Sequence, residues 1–132
     1  MKAKTRRFTE RSAKATAKWA VAAYNIEDWD VSFSFESDPP SWADSVNDGV
    51  IGYCTTWRLT KEAKIWVSPA RCKANKISWT RTLLHEMWHV AMADLGIEGP
   101  EAGAYMPSHE ALWNRLDGIL EAAYLSGYKA EK

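Results

Sequence analysis

Cysteine is scarce in this chain, and long apolar runs are missing. Cys54 and Cys72 form no C-x-x-C pair among the 132 residues, which excludes a multi-disulfide framework and a thiolate zinc ribbon. We expect two unlinked and mostly buried thiols, as is usual in intracellular chains. The apolar patch from Trp19 to Tyr24 is too short for a secretory signal, and no stretch approaches the roughly 18 apolar residues of a membrane span. These features predict a cytoplasmic protein that does not enter a membrane.

The net charge of the chain is zero, but the charges are unevenly distributed along it. The chain has 17 basic and 17 acidic side chains. Residues 1–18 contain seven of the basic ones (Lys2, Lys4, Arg6, Arg7, Arg11, Lys14, Lys18) and a single acidic one, Glu10. The remainder therefore has 17 − 7 = 10 basic and 17 − 1 = 16 acidic side chains. One hypothesis is that residues 2–18 contact nucleic acid or an acidic partner; the other is a solvated terminus.

The spacing of apolar residues predicts a single α+β domain over residues 1–132. Helical spacing covers Thr9 to Tyr24, Ser78 to Leu95 and Ser108 to Tyr124, whereas strands are predicted at Trp29 to Glu36, Val50 to Trp57 and Lys64 to Ser68. Gly96 and Gly127 are expected to end the second and third helices, and residues 97–107 read as a loop. The order α-β-β-β-α-α predicts a small mixed or antiparallel sheet. Eight tryptophans predict a core filled with large rings.

The pentapeptide His85-Glu86-Met87-Trp88-His89 is the most informative motif. Two histidines four residues apart project from one face of a helix, and both imidazoles can reach a metal at about 2.0–2.1 Å. Glu86 is offset by about 100° around the helix axis, a position from which it can act as general base towards a water on that metal. The alternative is a pair of ordinary helical histidines without a metal.

Such a zinc site needs a third protein ligand, and the sequence offers two neighbouring candidates. One is His109, the third histidine of the chain, and the other is Glu110. At about 100° per residue, His109 falls within an apolar stripe (Leu112, Trp113, Leu116, Leu120, Ala123), whereas Glu110 falls on a polar face with Asn114, Asp117 and Glu121. If the stripe faces the core, His109 points inwards. This favours His109, and Glu110 remains an alternative.

The set His85-Glu86-x-x-His89 followed by His109-x-x-x-Trp113 resembles the SprT-like (Spartan-type) zinc metallopeptidases and their minimal bacterial and phage relatives. The resemblance covers roughly residues 10 to 125. It implies a zincin-like minimal core in which His85, His89 and His109 hold Zn²⁺, Glu86 is the catalytic base, and the substrate is a protein or peptide. The chain has neither the cysteine zinc ribbon nor the long tail of larger members, which suggests a stand-alone core such as a phage-encoded one.

The function expected from these motifs is peptide-bond hydrolysis by a zinc metallopeptidase. Tyr105 and Tyr53 are candidates for stabilising the oxyanion of the tetrahedral intermediate, and Ile65 to Ser68 is a candidate edge strand for an extended substrate. A different hypothesis is a catalytically silent, zinc-stabilised module that binds nucleic acid or an acidic partner through the basic arm. The third is a helix-and-sheet interaction domain with no metal.

Overall fold

The computed structural model of the protein describes residues 7–43, 50–96 and 107–130, and within the last range the side chains of residues 114–126. These residues form an α+β fold with four helices and one three-stranded mixed sheet, as the sequence predicts. The elements are α1 (Glu10–Ala23), β1 (Asp30–Ser34), β2 (Gly52–Trp57), β3 (Glu62–Val67), α2 (Pro69–Ala74), α3 (Trp79–Asp94) and α4 (Pro107–Ala130). A 3-10 turn, Ser41–Ala43, lies between β1 and β2.

Strand β3 is the centre of the sheet, whose order is β1-β3-β2. It pairs in parallel with β1 and antiparallel with β2. The expectation that Ile65 to Ser68 forms an edge strand is therefore wrong. The reason is that Ile65, Trp66 and Val67 are all fully buried, and a strand with consecutive apolar residues is covered on both faces.

The two faces of the sheet are covered differently. Ala63, Ile65 and Val67 belong to the main core with α1 and α3. Trp66 lies on the opposite face, where its indole Nε1 donates to the Glu36 carbonyl at 2.8 Å. The polar atom of this buried ring is thus satisfied, and loop backbone covers the second face.

Helix α3 is the central helix of the fold. Nine of its sixteen residues are buried, which agrees with its apolar spacing on most sides. Helix α1 packs against it through alanines that include Ala13 and Ala20, small side chains that let two helix backbones approach. Trp29 and Trp79 join Trp66 among the buried residues, so large rings do fill the core.

The boundaries of the third strand and the last helix differ from the predictions. Pro69 does not merely close β3 but begins α2, where Ser68 caps the helix by accepting from the Arg71 N–H at 3.1 Å; proline is well suited to the first helical position. Helix α4 begins at Pro107 and continues past Gly127 to Ala130. A helical glycine costs about 1 kcal/mol relative to alanine, which is too little by itself to end a long helix. Of the predicted loop at 97–107, residues 97–106 lie outside the described residues, and Pro107 already belongs to α4.

Neither cysteine is in a disulfide. Cys72 is buried and Cys54 is half-buried, as expected of unlinked thiols. Within the described ranges, every helix is too short or too polar to cross a bilayer.

Candidate metal centre

Helix α3 brings His85, Glu86 and His89 together. One ligand atom from each residue lies within 4.8 Å of the others, and the two imidazole centroids are 5.0 Å apart. Glu86 is only 7% exposed, and the Nε2 atom of His89 is fully buried. The H-E-x-x-H spacing therefore places three metal-binding groups in one small, largely dehydrated volume.

His85 has a carboxylate partner on another helix. Both carboxylate oxygens of Asp117 lie 2.9 Å from His85 Nδ1, and Asp117 is itself only 7% exposed. A neutral His85 ring in this contact carries its proton on Nδ1 and donates it to the carboxylate. The opposite ring nitrogen, Nε2, is then the atom suited to a metal.

The placement of Asp117 corrects the helical-wheel prediction for α4. Asp117 was expected on the outer polar face, yet it is buried, whereas Ala123 of the predicted apolar stripe is exposed. The reason lies in the opposite helix, which presents polar groups to α4. The Ser78 hydroxyl donates to the Glu121 carboxylate, and Arg81 donates to the Asn114 carbonyl at 2.7 Å. The carboxylates of Asp117 and Glu121 face α3 because His85 and Ser78 provide hydrogen-bond donors there.

The third ligand stays a prediction. His109 and Glu110 both lie in the first turn of α4, but their side chains are outside the described part of the structure. The inward face of α4 contains buried Asp117 as well as half-buried Leu116 and Leu120. Both apolar and carboxylate side chains of α4 therefore face inwards, and helical periodicity does not separate His109 from Glu110.

Strand β2 packs closely against helix α3 at Gly52. A β-carbon built on Gly52 would lie 3.0 Å from Thr82 Cγ2, 3.1 Å from Glu86 Oε2 and 3.2 Å from the Trp66 carbonyl oxygen. The carboxylate of Glu86 thus sits against the backbone of an edge strand with no side chain between them. Only glycine leaves room for this approach, a constraint that β2's sequence alone does not reveal.

Tyr53 and Tyr105 are the candidates for oxyanion stabilisation, and the structure describes only Tyr53. Side chains alternate along a strand, so Tyr53 points away from the face on which Gly52 meets α3. Its ring lies 6.3 Å from that of Trp42, and its role in oxyanion stabilisation stays a prediction. Tyr105 lies outside the described residues.

Tyr24 and Trp88 form an aromatic contact at helix α3, close to the histidines. The Tyr24 hydroxyl donates to the Leu84 carbonyl at 3.2 Å, and its ring packs edge-on against Trp88, with centroids 5.0 Å apart. Burial, followed by the negative charge of Asp117, raises the pKa of Tyr24 well above its usual value. Tyr24 is therefore neutral at physiological pH and stabilises α3 one residue before His85.

The donor set suits a divalent metal that accepts imidazole and carboxylate ligands. Two imidazoles, a neighbouring carboxylate and a carboxylate behind one imidazole are the groups found around protein-bound zinc, although imidazole also suits Cu, Fe and Ni. Comparison of the chain with protein-family models, with curated proteins and with solved structures gives no match.

Proposed function

We propose that the protein is a zinc-dependent metallopeptidase. The observation that carries the proposal is the clustering of His85, Glu86 and His89 within 4.8 Å on one central helix, with Asp117 bonded to the first histidine. His85 and His89 would be two of the metal ligands. His109 is the proposed third ligand on the strength of the SprT-like resemblance, and Glu110 is the alternative.

Each protein group has a defined part in this chemistry. Bound Zn²⁺ would polarise the scissile carbonyl and lower the pKa of an attacking water towards about 7. Glu86 accepts the proton of that water and passes it to the departing amine.

The same geometry indicates where a peptide would lie. Strand β2 is an edge of the sheet, and a β-carbon on its first residue, Gly52, would lie 3.1 Å from Glu86 Oε2. An extended peptide that pairs with the outer side of β2 would run past this carboxylate by β-strand addition. Strand β2 therefore replaces Ile65 to Ser68 as the candidate docking strand.

The proposal is tested with purified protein, by elemental analysis and by hydrolysis of an unfolded protein such as casein. We expect stoichiometric zinc in the wild type and in Glu86→Gln. Hydrolysis by Glu86→Gln should fall by about 10²–10⁴-fold, the usual contribution of a general base. Glu62→Gln is the control, since Glu62 is an exposed carboxylate on β3.

Each other outcome has a distinct meaning. Retained hydrolysis by Glu86→Gln would rule out Glu86 as the base. Loss of zinc from this variant would make Glu86 a ligand instead. A wild-type protein that carries no metal and takes none up would overturn the metallopeptidase proposal.

Single variants identify the third ligand. His109→Ala should lose zinc, whereas Glu110→Ala should keep it, because only the former removes a metal-binding nitrogen. The reverse result would assign the third position to Glu110.

A second candidate function is nucleic-acid binding, and it is favoured by the basic face of α1. Arg7, Arg11, Lys14 and Lys18 are all exposed and follow one another at intervals of four, three and four residues. Arg11, Lys14 and Lys18 therefore lie along one side of α1, and Arg7 lies just before its N-cap. Arg11 and Lys18 are about 10 Å apart along the axis, from a rise of 1.5 Å per residue. A row of cations of this kind is suited to phosphates.

Fluorescence anisotropy with a labelled single-stranded DNA tests this second function. Lys14→Glu with Lys18→Glu should weaken binding by about 10-fold or more at low salt, whereas Lys73→Glu with Lys76→Glu, on and after α2, should have little effect. Glu86→Gln should leave DNA binding unchanged. Equal effects of the two double variants would show that DNA binding depends on the overall charge of the protein and not on the row of cations on α1.

A further inference from the structure

We propose that Asp117 is the positioning residue of the metal centre. It holds the His85 ring by Nδ1 and thereby directs Nε2 of that ring towards the metal. This inference rests on the metal-binding part of the proposed function and does not depend on hydrolysis.

The contact is unusually well defined for a pair on different helices. Asp117 Oδ1 and Oδ2 are both 2.9 Å from His85 Nδ1, so the carboxylate straddles the nitrogen. The side chains of His85 and Asp117 are 19% and 10% exposed. Water therefore competes little for this bond, and the ring cannot turn without breaking it. A histidine ring on a helix surface would otherwise be free to rotate about χ2.

The burial of Asp117 determines which nitrogen of the His85 ring faces it. An ionised carboxylate is costly to bury without a partner, and among the described residues Asp117 bonds only to His85. A neutral ring in this contact presents Nδ1–H to α4, which leaves Nε2 as the nitrogen suited to a metal. In metal sites a carboxylate placed in this way fixes the tautomer and orientation of the ligand histidine and increases its basicity.

The position of Asp117 in the chain adds a second consequence. Helix α4 carries Asp117, and its first turn contains both candidates for the third ligand, His109 and Glu110. The contact from Asp117 to His85 and the contact from Glu121 to Ser78 set how α4 lies on α3. Metal binding should therefore stabilise the packing of α4 on α3.

The competing explanation is a purely structural ion pair between His85 and Asp117. In that case Asp117 would stabilise the helix pair but would make no particular difference to metal affinity. Glu121 provides a matched control, because its carboxylate also joins α4 to α3 and lies one turn away from Asp117 without contacting a histidine of the motif.

The experiment measures Zn²⁺ affinity of the metal-free full-length protein by competition with a chromophoric chelator at fixed pH. The variants are Asp117→Ala, Asp117→Asn, Glu121→Ala and Glu121→Gln. We expect Asp117→Ala to bind Zn²⁺ about 10–100-fold more weakly than wild type, and the Glu121 variants to bind as wild type does. Asp117→Asn should fall in between, because its amide oxygen still accepts from Nδ1–H but carries no charge. Co²⁺ substitution should show a changed visible spectrum for the Asp117 variants only.

The outcomes separate the hypotheses. Wild-type affinity in Asp117→Ala, an equal loss in Glu121→Ala, or an Asp117→Asn no better than Asp117→Ala would each overturn the positioning role. Asp117→Asn preserves shape, so it remains informative if thermal unfolding shows that Asp117→Ala does not fold. A wild type that binds metal but hydrolyses nothing would refute peptidase activity and leave this inference intact. Absence of metal binding by the wild type overturns both.

Discussion

Replacement of Gly52 by alanine tests the close contact between β2 and the metal helix. The new methyl group would lie 3.0 Å from Thr82 Cγ2, 3.1 Å from Glu86 Oε2 and 3.2 Å from the Trp66 carbonyl oxygen. Carbon atoms pack best at about 3.5–4.0 Å, so each neighbour would have to move by several tenths of an ångström. The Trp66 oxygen belongs to the central strand and Thr82 to the central helix. The Glu86 carboxylate is the part most able to move.

The expected change in stability is the balance of two effects. Inserting a methylene into a well-packed region costs about 1–3 kcal/mol. Replacing glycine by alanine where the backbone permits it recovers about 0.4–1 kcal/mol through the unfolded chain, and the φ of Gly52 lies outside the left-handed region. The net result is a loss of about 1 kcal/mol, or about 3–5 °C in Tm for a chain of this length.

Activity should fall by more than this loss of stability implies. In the proposed mechanism Glu86 is the general base, and misplacement of such a group by about 1 Å can cost about 10²-fold in rate. We therefore expect Gly52→Ala to keep its zinc and to lose about 10-fold in kcat, which corresponds to a shift of several tenths of an ångström.

The matched control is Gly118→Ala on α4. There the new β-carbon would meet nothing closer than Arg81 Nη1 at 4.0 Å, and alanine should stabilise the helix by about 0.5–1 kcal/mol. Thermal unfolding and casein hydrolysis are measured for both variants. A Gly52→Ala protein as stable and as active as the wild type would refute the reasoning about steric contact.

Three further predictions concern the metal, the core hydrogen bonds and the thiols. Addition of Zn²⁺ at about 1,000 times its Kd should raise the free energy of unfolding by about 4 kcal/mol; an unchanged Tm would contradict a native-state metal site. Tyr124→Phe should cost about 1–2 kcal/mol, because the Tyr124 hydroxyl accepts from buried Thr16 at 3.0 Å, and urea unfolding measures this. Burial raises the pKa of the Cys72 thiol, partly offset by its hydrogen bond to Thr82. A thiol reagent at pH 8 should therefore modify half-buried Cys54 first. Because the folded-state pKa of Cys72 is raised, its contribution to stability is present below the unfolded pKa of about 8.5 and is lost as pH rises. The free energy of unfolding of Cys72→Ala should therefore fall less steeply with alkaline pH than that of the wild type.

Patterns with a local cause predicted much of the fold. The N-cap hydroxyls of Thr9 and Ser78 accept from backbone N–H groups three residues on, and the capped helices begin where the sequence indicates. The H-E-x-x-H spacing placed both histidines and Glu86 together because helical geometry depends on four successive residues and little else. The two helix boundaries that the sequence missed, at Pro69 and Gly127, involve residues that are compatible with helix as well as with its termination.

Contacts between distant segments could not be predicted in this way. The wheel for α4 assumed an apolar partner, but α3 presents Ser78, Arg81 and His85 to it, and Asp117 turned inwards as a result. The order of the strands likewise depends on which neighbours pair with β3, which alternation within each strand does not encode.

By itself, the sequence determined the α+β composition and the helix on which two histidines and a glutamate lie together. Only the tertiary structure decided that β3 is central, that Gly52 lies against Glu86, and that Asp117 holds His85. The physical reason is the sequence separation of the interacting residues, because helix periodicity and capping act over only a few residues. The partner of a buried charge and the space beside a glycine depend on chain segments that lie fourteen to thirty-four residues away in sequence.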